Sequence, residues 1–185
     1  MIFLGRRPSD NRHSAELSDC KLYFMWQDDG FLKDNATDTP AAMQQLALLL
    51  IHVKKQYESL SADELLQYPA PGKWSRQQVL GHLIDSAINN LKRFTDAQIL
   101  EPPYLVIGYK QNELMVVNHY QGLPLPHLLG LWQSLNQQII FVVQNIPANK
   151  LAYGVKPQYN QTGMKTLEWL ICDYMAHMKH HLRNL

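Results

Sequence analysis

Three histidines in this chain have the type and spacing from which chemistry could be built. His177 and His181 form an H-x-x-x-H pair near one end of the sequence, and His82 follows Trp74 by eight residues. A helix turns once every 3.6 residues, so positions four apart stand one above the other on the same face. Two imidazoles spaced this way can grip one divalent ion, and a third from a facing helix would complete a three-nitrogen site with a coordination position left open. The pair alone is a weak motif. Its context is more informative, because Leu167, Leu170, Tyr174, His177, His181 and Leu185 share one stripe of helical period. Apolar stripes of that period face a core, and a buried imidazole needs a partner for its ring nitrogens. A shared metal would supply one. Carbonyls or carboxylates would serve two ordinary core histidines equally well.

Composition sets the frame for these residues. The chain has 185 residues, 46% of them hydrophobic, with Trp 4, Tyr 9 and Phe 5. That is the scale of one domain with a sizeable core. The net charge is +1 and the basic residues are not clustered, which argues against nucleic acid or a membrane surface as a partner. Cys20 and Cys172 fit no metal or redox motif, so a reducing cytoplasm is the expected compartment. No stretch reaches the length of a membrane span, and the opening Met-Ile-Phe-Leu-Gly is too short for a signal-peptide apolar region.

Residues 1–38 read differently from the rest, with polar and turn-like runs around Arg6–Arg12 and Asp28–Gly30. This segment is expected to be a flexible tail, or an extension created by starting translation too far upstream. Residues 39–185 carry the domain. A first helix begins at Thr39-Pro40 and runs to about Leu60, and Ser61–Glu64 caps a short extra turn. A second long helix starts at the Ser75 cap, with Gln78 at the third position, and ends before Pro102-Pro103. A third follows Pro124 and Pro126 and ends near Ile146-Pro147, and a fourth spans Gly163 to about Asn184. No strand pattern is convincing, and 101–123 and 148–162 read as irregular connections.

Four amphipathic helices in one small domain predict an all-α four-helix bundle. The second helix would be about 37 Å long at 1.5 Å per residue. The connection over 101–123 could reach about 75 Å, enough to run back along the bundle. Helices 2 and 3 are therefore predicted to be parallel and joined by a crossover, with helices 1 and 4 antiparallel to them. His82 lies near the start of helix 2 and the His177/His181 pair near the end of helix 4. Antiparallel packing would bring all three to one level.

The motifs also carry a family resemblance. Gly72-Lys73-Trp74-Ser75, followed by Val79-Leu80-Gly81-His82-Leu83-Ile84-Asp85-Ser86, resembles the second-helix signature of the DinB/YfiT-like superfamily. Leu167-Glu168-Trp169-Leu170 and Asp173-Tyr174-Met175-Ala176-His177-Met178-Lys179-His180-His181 resemble its last helix. The resemblance covers about residues 39 to 185. It implies an up-down-down-up bundle and a divalent metal, zinc or nickel most often, held by His82, His177 and His181. It further implies metal-dependent hydrolases, and transferases that use low-molecular-weight thiols such as bacillithiol or mycothiol.

A metal on three neutral imidazoles would acidify bound water from near 15.7 towards about 7, or hold a thiol cosubstrate as thiolate. Asp85 and Asp173 are candidate acceptors for the ligands' second ring N–H, or simply solvated helix carboxylates. Ser86, Asn89 and Arg93 continue a polar stripe below His82, where Arg93 could hold a substrate carboxylate or pair on the surface. His119 could line a pocket mouth, His180 points away from the pair, and Trp74 and Trp169 are expected to pack the core. The expected partner is a small-molecule substrate, with a homodimer left open. The alternative class is a bundle that holds metal or a small molecule without catalysis, or one with no metal at all.

Overall fold

In the computed structural model, residues 36–158 and 163–183 are described. Most of the predicted 1–38 extension, His13 and Cys20 lie outside them, as does Leu185. The first helix, α1 (Thr39–Glu58), is started by Asp38, whose carboxylate accepts from the Ala41 amide at 2.9 Å, and by Pro40 in its first turn. It buries Leu46, Leu49, Leu50, Val53 and Tyr57 at helical spacing. A short α2 (Ala62–Leu66) follows, closed by the Ser61–Glu64 capping box. The second long helix, α3 (Arg76–Ile99), opens on the same device, with Ser75 and Gln78 capping each other's backbone amides. Its buried face is mixed. Leu80, Leu83, Ile84, Ala87 and Phe94 are apolar, but His82, Asp85, Ser86 and Asn90 are buried among them. Burying polar groups costs free energy unless they find partners, so this face marks where the site must lie.

The crossover after α3 contains β1 (Tyr104–Val106), α4 (Gln111–Val117) and a 3-10 turn at Tyr120–Gly122. It delivers the chain to α5 (Leu125–Gln144), then α6 (Ala148–Leu151), β2 (Gly154–Pro157), β3 (Lys165–Thr166) and α7 (Leu167–Leu182). Hydrogen bonds at the helix ends fix the directions. The Gln77 side-chain amide, at the start of α3, donates to the Leu123 carbonyl at 3.0 Å, just before α5 begins. At the other end, Lys150 beyond α5 donates to the Gln98 carbonyl at 2.7 Å. Helices α3 and α5 are therefore parallel, as the long connection predicted. Tyr57, at the end of α1, donates to the Arg76 carbonyl at 2.9 Å, so α1 and α3 are antiparallel. Thr39 donates through its hydroxyl to Glu168 at 3.3 Å, which sets the starts of α1 and α7 side by side. The result is an up-down-down-up four-helix bundle around Trp132, Tyr57, Phe94 and Leu80, all fully buried.

Two expectations are corrected. First, three strands exist where none was expected. β2 pairs with β1 in parallel and with β3 antiparallel, giving the order β1-β2-β3. Strands of 3, 4 and 2 residues are too short to show an alternating pattern. They form because the two connections meet in space, with Tyr104 opposite Val155. Second, α7 starts at Leu167, not Gly163. Residues 165–166 belong to β3, and the Thr166 hydroxyl accepts from the Trp169 amide at 3.1 Å as the helix cap.

Candidate metal centre

Antiparallel packing of α3 on α7 brings the three predicted histidines together. His82, only 1% exposed, stands on the second turn of α3, facing the last turns of α7. Its Nε2 lies 3.3 Å from Nε2 of His177, and that nitrogen lies 3.2 Å from Nε2 of His181. The rings meet edge-on, with centroids 4.5 to 5.2 Å apart. Among the described residues these three alone form a cluster of candidate ligands, all within 4.8 Å of one another.

That spacing fits a metal. A tetrahedral ion roughly 2.0–2.1 Å from each imidazole nitrogen sets those nitrogens about 3.3 Å apart. The protonation state fits as well. Burial, reinforced by the neighbouring imidazoles, lowers His82 to about 3 and His177 to about 4 from an ordinary 6.5, and burial also lowers His181. The rings are neutral at physiological pH and offer lone pairs, as ligation requires.

Trp74 was expected in the core. It is instead half-buried, with its ring 4.9 Å from that of His82 and 6.4 Å from that of His181. It covers one side of the histidine cluster. His180 lies outside the cluster, as its helical angle predicted, although its ring sits 5.4 Å from that of His181. His119 is exposed, in a left-handed turn (φ 51°).

Asp85, a candidate acceptor or a solvated carboxylate by sequence, is neither bonded to a histidine nor solvated; it is buried. Its Oδ1 accepts from the Tyr120 hydroxyl at 2.6 Å and from the Asn118 amide at 3.0 Å. Asp85 shares the face of α3 that carries His82, but the crossover packs against it there and supplies the donors, from Asn118 and the 3-10 turn at Tyr120. Tyr120 also explains the residue before His82. A Cβ on Gly81 would stand 2.3 Å from the Tyr120 ring, so only glycine lets the crossover pack this closely. No hydrogen bond joins Asp173 to His177 or His181 among the described residues; it is exposed at the rim, where the Arg93 charge bears on it.

A cavity of about 450 Å³ adjoins the cluster and has His177 in its wall. Asn90 and Arg93 line it from α3, Tyr109 from the crossover, and Trp169 and Tyr174 from α7. Trp169 is thus a wall of this cavity and not a core residue. A larger hollow of about 590 Å³ lies between α1 and α5 near Ile51 and Phe141, lined by no titratable group. Periodicity offered no access to Tyr109, Asn118 or Tyr120, because they sit in the crossover. For Trp74 a signal existed: it immediately precedes the Ser75 cap in the motif that leads to His82.

A family model described as the DinB superfamily matches residues 30–185. The chain belongs to the DinB superfamily. No curated protein matches it. Among solved structures, this DinB-superfamily chain is similar to YfiT from Bacillus subtilis, described as a probable metal-dependent hydrolase with an unusual four-helix bundle topology. The TM-score is 0.70 at 22% identity, over 78% of this chain and 81% of that one. It is also similar to a mycothiol-dependent maleylpyruvate isomerase, with a TM-score of 0.58 at 14% identity; the match covers 78% of this chain but 57% of the isomerase. At these identities the likeness establishes the shared bundle fold.

Proposed function

We propose that this chain is a metal-dependent enzyme in which His82, His177 and His181 hold one divalent ion, zinc or nickel, beside a substrate cavity. The observation that carries the reading is the convergence of three neutral Nε2 atoms at metal-ligand spacing next to a hollow of about 450 Å³. Three protein ligands with an adjoining cavity suit catalysis better than storage, because a purely structural site closes its fourth position. Such an ion, when bound, acidifies a water or a thiol and so supplies a nucleophile at neutral pH.

The protein's own part is positioning and exclusion. Trp74 shields one side of the imidazoles from bulk water. Tyr120, keyed against Gly81 and bonded to Asp85, pins the crossover over the turn that bears His82. The cavity holds the substrate against His177. The reaction class is hydrolysis or transfer of a low-molecular-weight thiol. Membership of the DinB superfamily and the likeness to a mycothiol-dependent isomerase support the thiol branch. A reducing cytoplasm, where small thiols stay reduced, suits it. No described helix is long and apolar enough to cross a membrane.

Elemental analysis of the purified full chain tests the ligand set. About one metal per chain is expected, lost or severely weakened in His82→Ala, His177→Ala and His181→Ala. Full retention in all three variants overturns it. Thiol transfer to an electrophile, assayed with and without chelator, tests catalysis. Activity indifferent to chelation excludes the metal's role.

A further inference from the structure

Arg93 is a half-buried cation in the wall of the histidine cavity, and its hydrogen-bond partners are neutral. One guanidinium nitrogen, Nη2, donates to the Ile107 carbonyl at 2.7 Å. The other, Nη1, donates to Asn90 Oδ1 at 3.3 Å. The guanidinium also stands 5.7 Å from the centre of the Tyr109 ring. Among the described residues it forms no ion pair within 4 Å; Asp173 acts on it only from farther away. A guanidinium has five donors in a rigid fork matched to a carboxylate, and here two are committed. A charge drawn out of water without a partner is costly. The two neutral bonds fix the plane of the group and leave its charge answered only at longer range, by Asp173.

Its place along the bundle adds a length. The rings of Phe94, next to Arg93, and Tyr174 are 5.9 Å apart, so this level of α3 faces the Asp173–Tyr174 level of α7. His177 lies one turn further along α7, about 5–6 Å away along the helix axis. Trp169 and Tyr109 add aromatic rings to the wall of the same cavity. A cavity of this size holds a small molecule.

We propose that Arg93 is the specificity residue of this cavity, taking the carboxylate of a small organic acid whose other end lies against His177. The proposal deepens the metal-enzyme reading, on which it rests for the chemistry at His177 but not for the binding at Arg93.

The test uses the full chain, metal-free and zinc-loaded, titrated with benzoate, benzamide and benzylammonium at low salt and followed by ligand-observed NMR. In the metal-free protein benzoate binds at least about tenfold more tightly than benzamide, the scale of a charge-assisted bidentate pair. Arg93→Gln removes that preference. Arg93→Lys, which keeps the charge and loses the fork, retains part of it. Should Arg93→Gln not fold, the wild-type preference and Arg93→Lys decide the matter. Equal binding of benzoate and benzamide overturns the proposal, as does tighter binding of benzylammonium, which would give the cavity to Asp173. Benzoate that binds only with zinc and ignores Arg93 also overturns it, because the acid is then a metal ligand. A failure of the metal reading looks different. Zinc does not bind, while the Arg93-dependent preference persists in the metal-free chain.

Discussion

Nε2 of His82 stands 3.3 Å from Nε2 of His177, although 95 residues separate them along the chain. Neither ring gains a salt bridge from this contact, and burial makes both neutral. Two buried acceptors that close are repulsive unless a proton or an ion sits between them. With His181 also present at 3.2 Å from His177, an ion satisfies all three at once.

Metal should therefore stabilise the fold. Zinc or nickel in about hundredfold excess over its dissociation constant adds about 2.7 kcal/mol to the folded state. The wild-type melting temperature should rise by several degrees on addition of metal, and that of His177→Ala should not. Calorimetry on the two proteins reads this. An equal rise in both would place binding elsewhere.

Stability of the metal-free protein should fall in mild acid. His82 and His177 have folded values near 3 and 4, whereas in the unfolded chain they titrate near 6.5. Between those values the unfolded chain binds more protons. Their contribution is thus complete above about pH 6.5 and is lost as pH falls towards 4 and then 3. Asp85, raised by burial, acts in the opposite sense, favouring the folded state as pH drops towards its unfolded value of 3.8. The histidines dominate just below 6.5. Urea midpoints at about pH 7.5 and about pH 5 should differ, and His82→Gln should shrink the difference. A variant with an unchanged slope would refute the assignment.

Gly81→Ala should destabilise the protein despite alanine's better helix propensity. The added methyl meets the Tyr120 ring at 2.3 Å, and overpacking costs typically about 1–3 kcal/mol against about 1 kcal/mol of propensity gained. Pairing it with Tyr120→Ala should cost less than the sum of the two single changes. Additive losses in a double-mutant cycle would show that the contact is not the cause.

Trp74 should report on the site. Its ring lies 4.9 Å from that of His82, so a quenching ion such as nickel bound there should dim its emission most. Trp74→Phe should lose a larger share of the metal-induced quenching than Trp132→Phe, whose ring is in the core. Equal shares would argue that the ion sits away from Trp74.

Much of the scaffold was legible because it is local. Ser75 and Gln78, Ser61 and Glu64, and Pro40 announce helix starts through bonds made within one turn. Helical period placed His177 and His181 on one face, and the 101–123 connection was long enough to run back along the bundle, from which parallel α3 and α5 were inferred. From that topology the level of His82 followed. What remained hidden depends on segments meeting from far along the chain. The strands are too short to be coded by alternation and exist only because Tyr104 and Val155 are brought together. Asp85 bonds to Tyr120 and not to a histidine because the crossover turn, invisible to periodicity, fills the space beside Gly81. Trp74, Tyr109 and Arg93 acquire their roles from what lies opposite them. Spacing along a helix determines which side chains share a face, since the backbone repeat is fixed. Only the packed fold decides what that face meets, because that depends on the path of the whole chain.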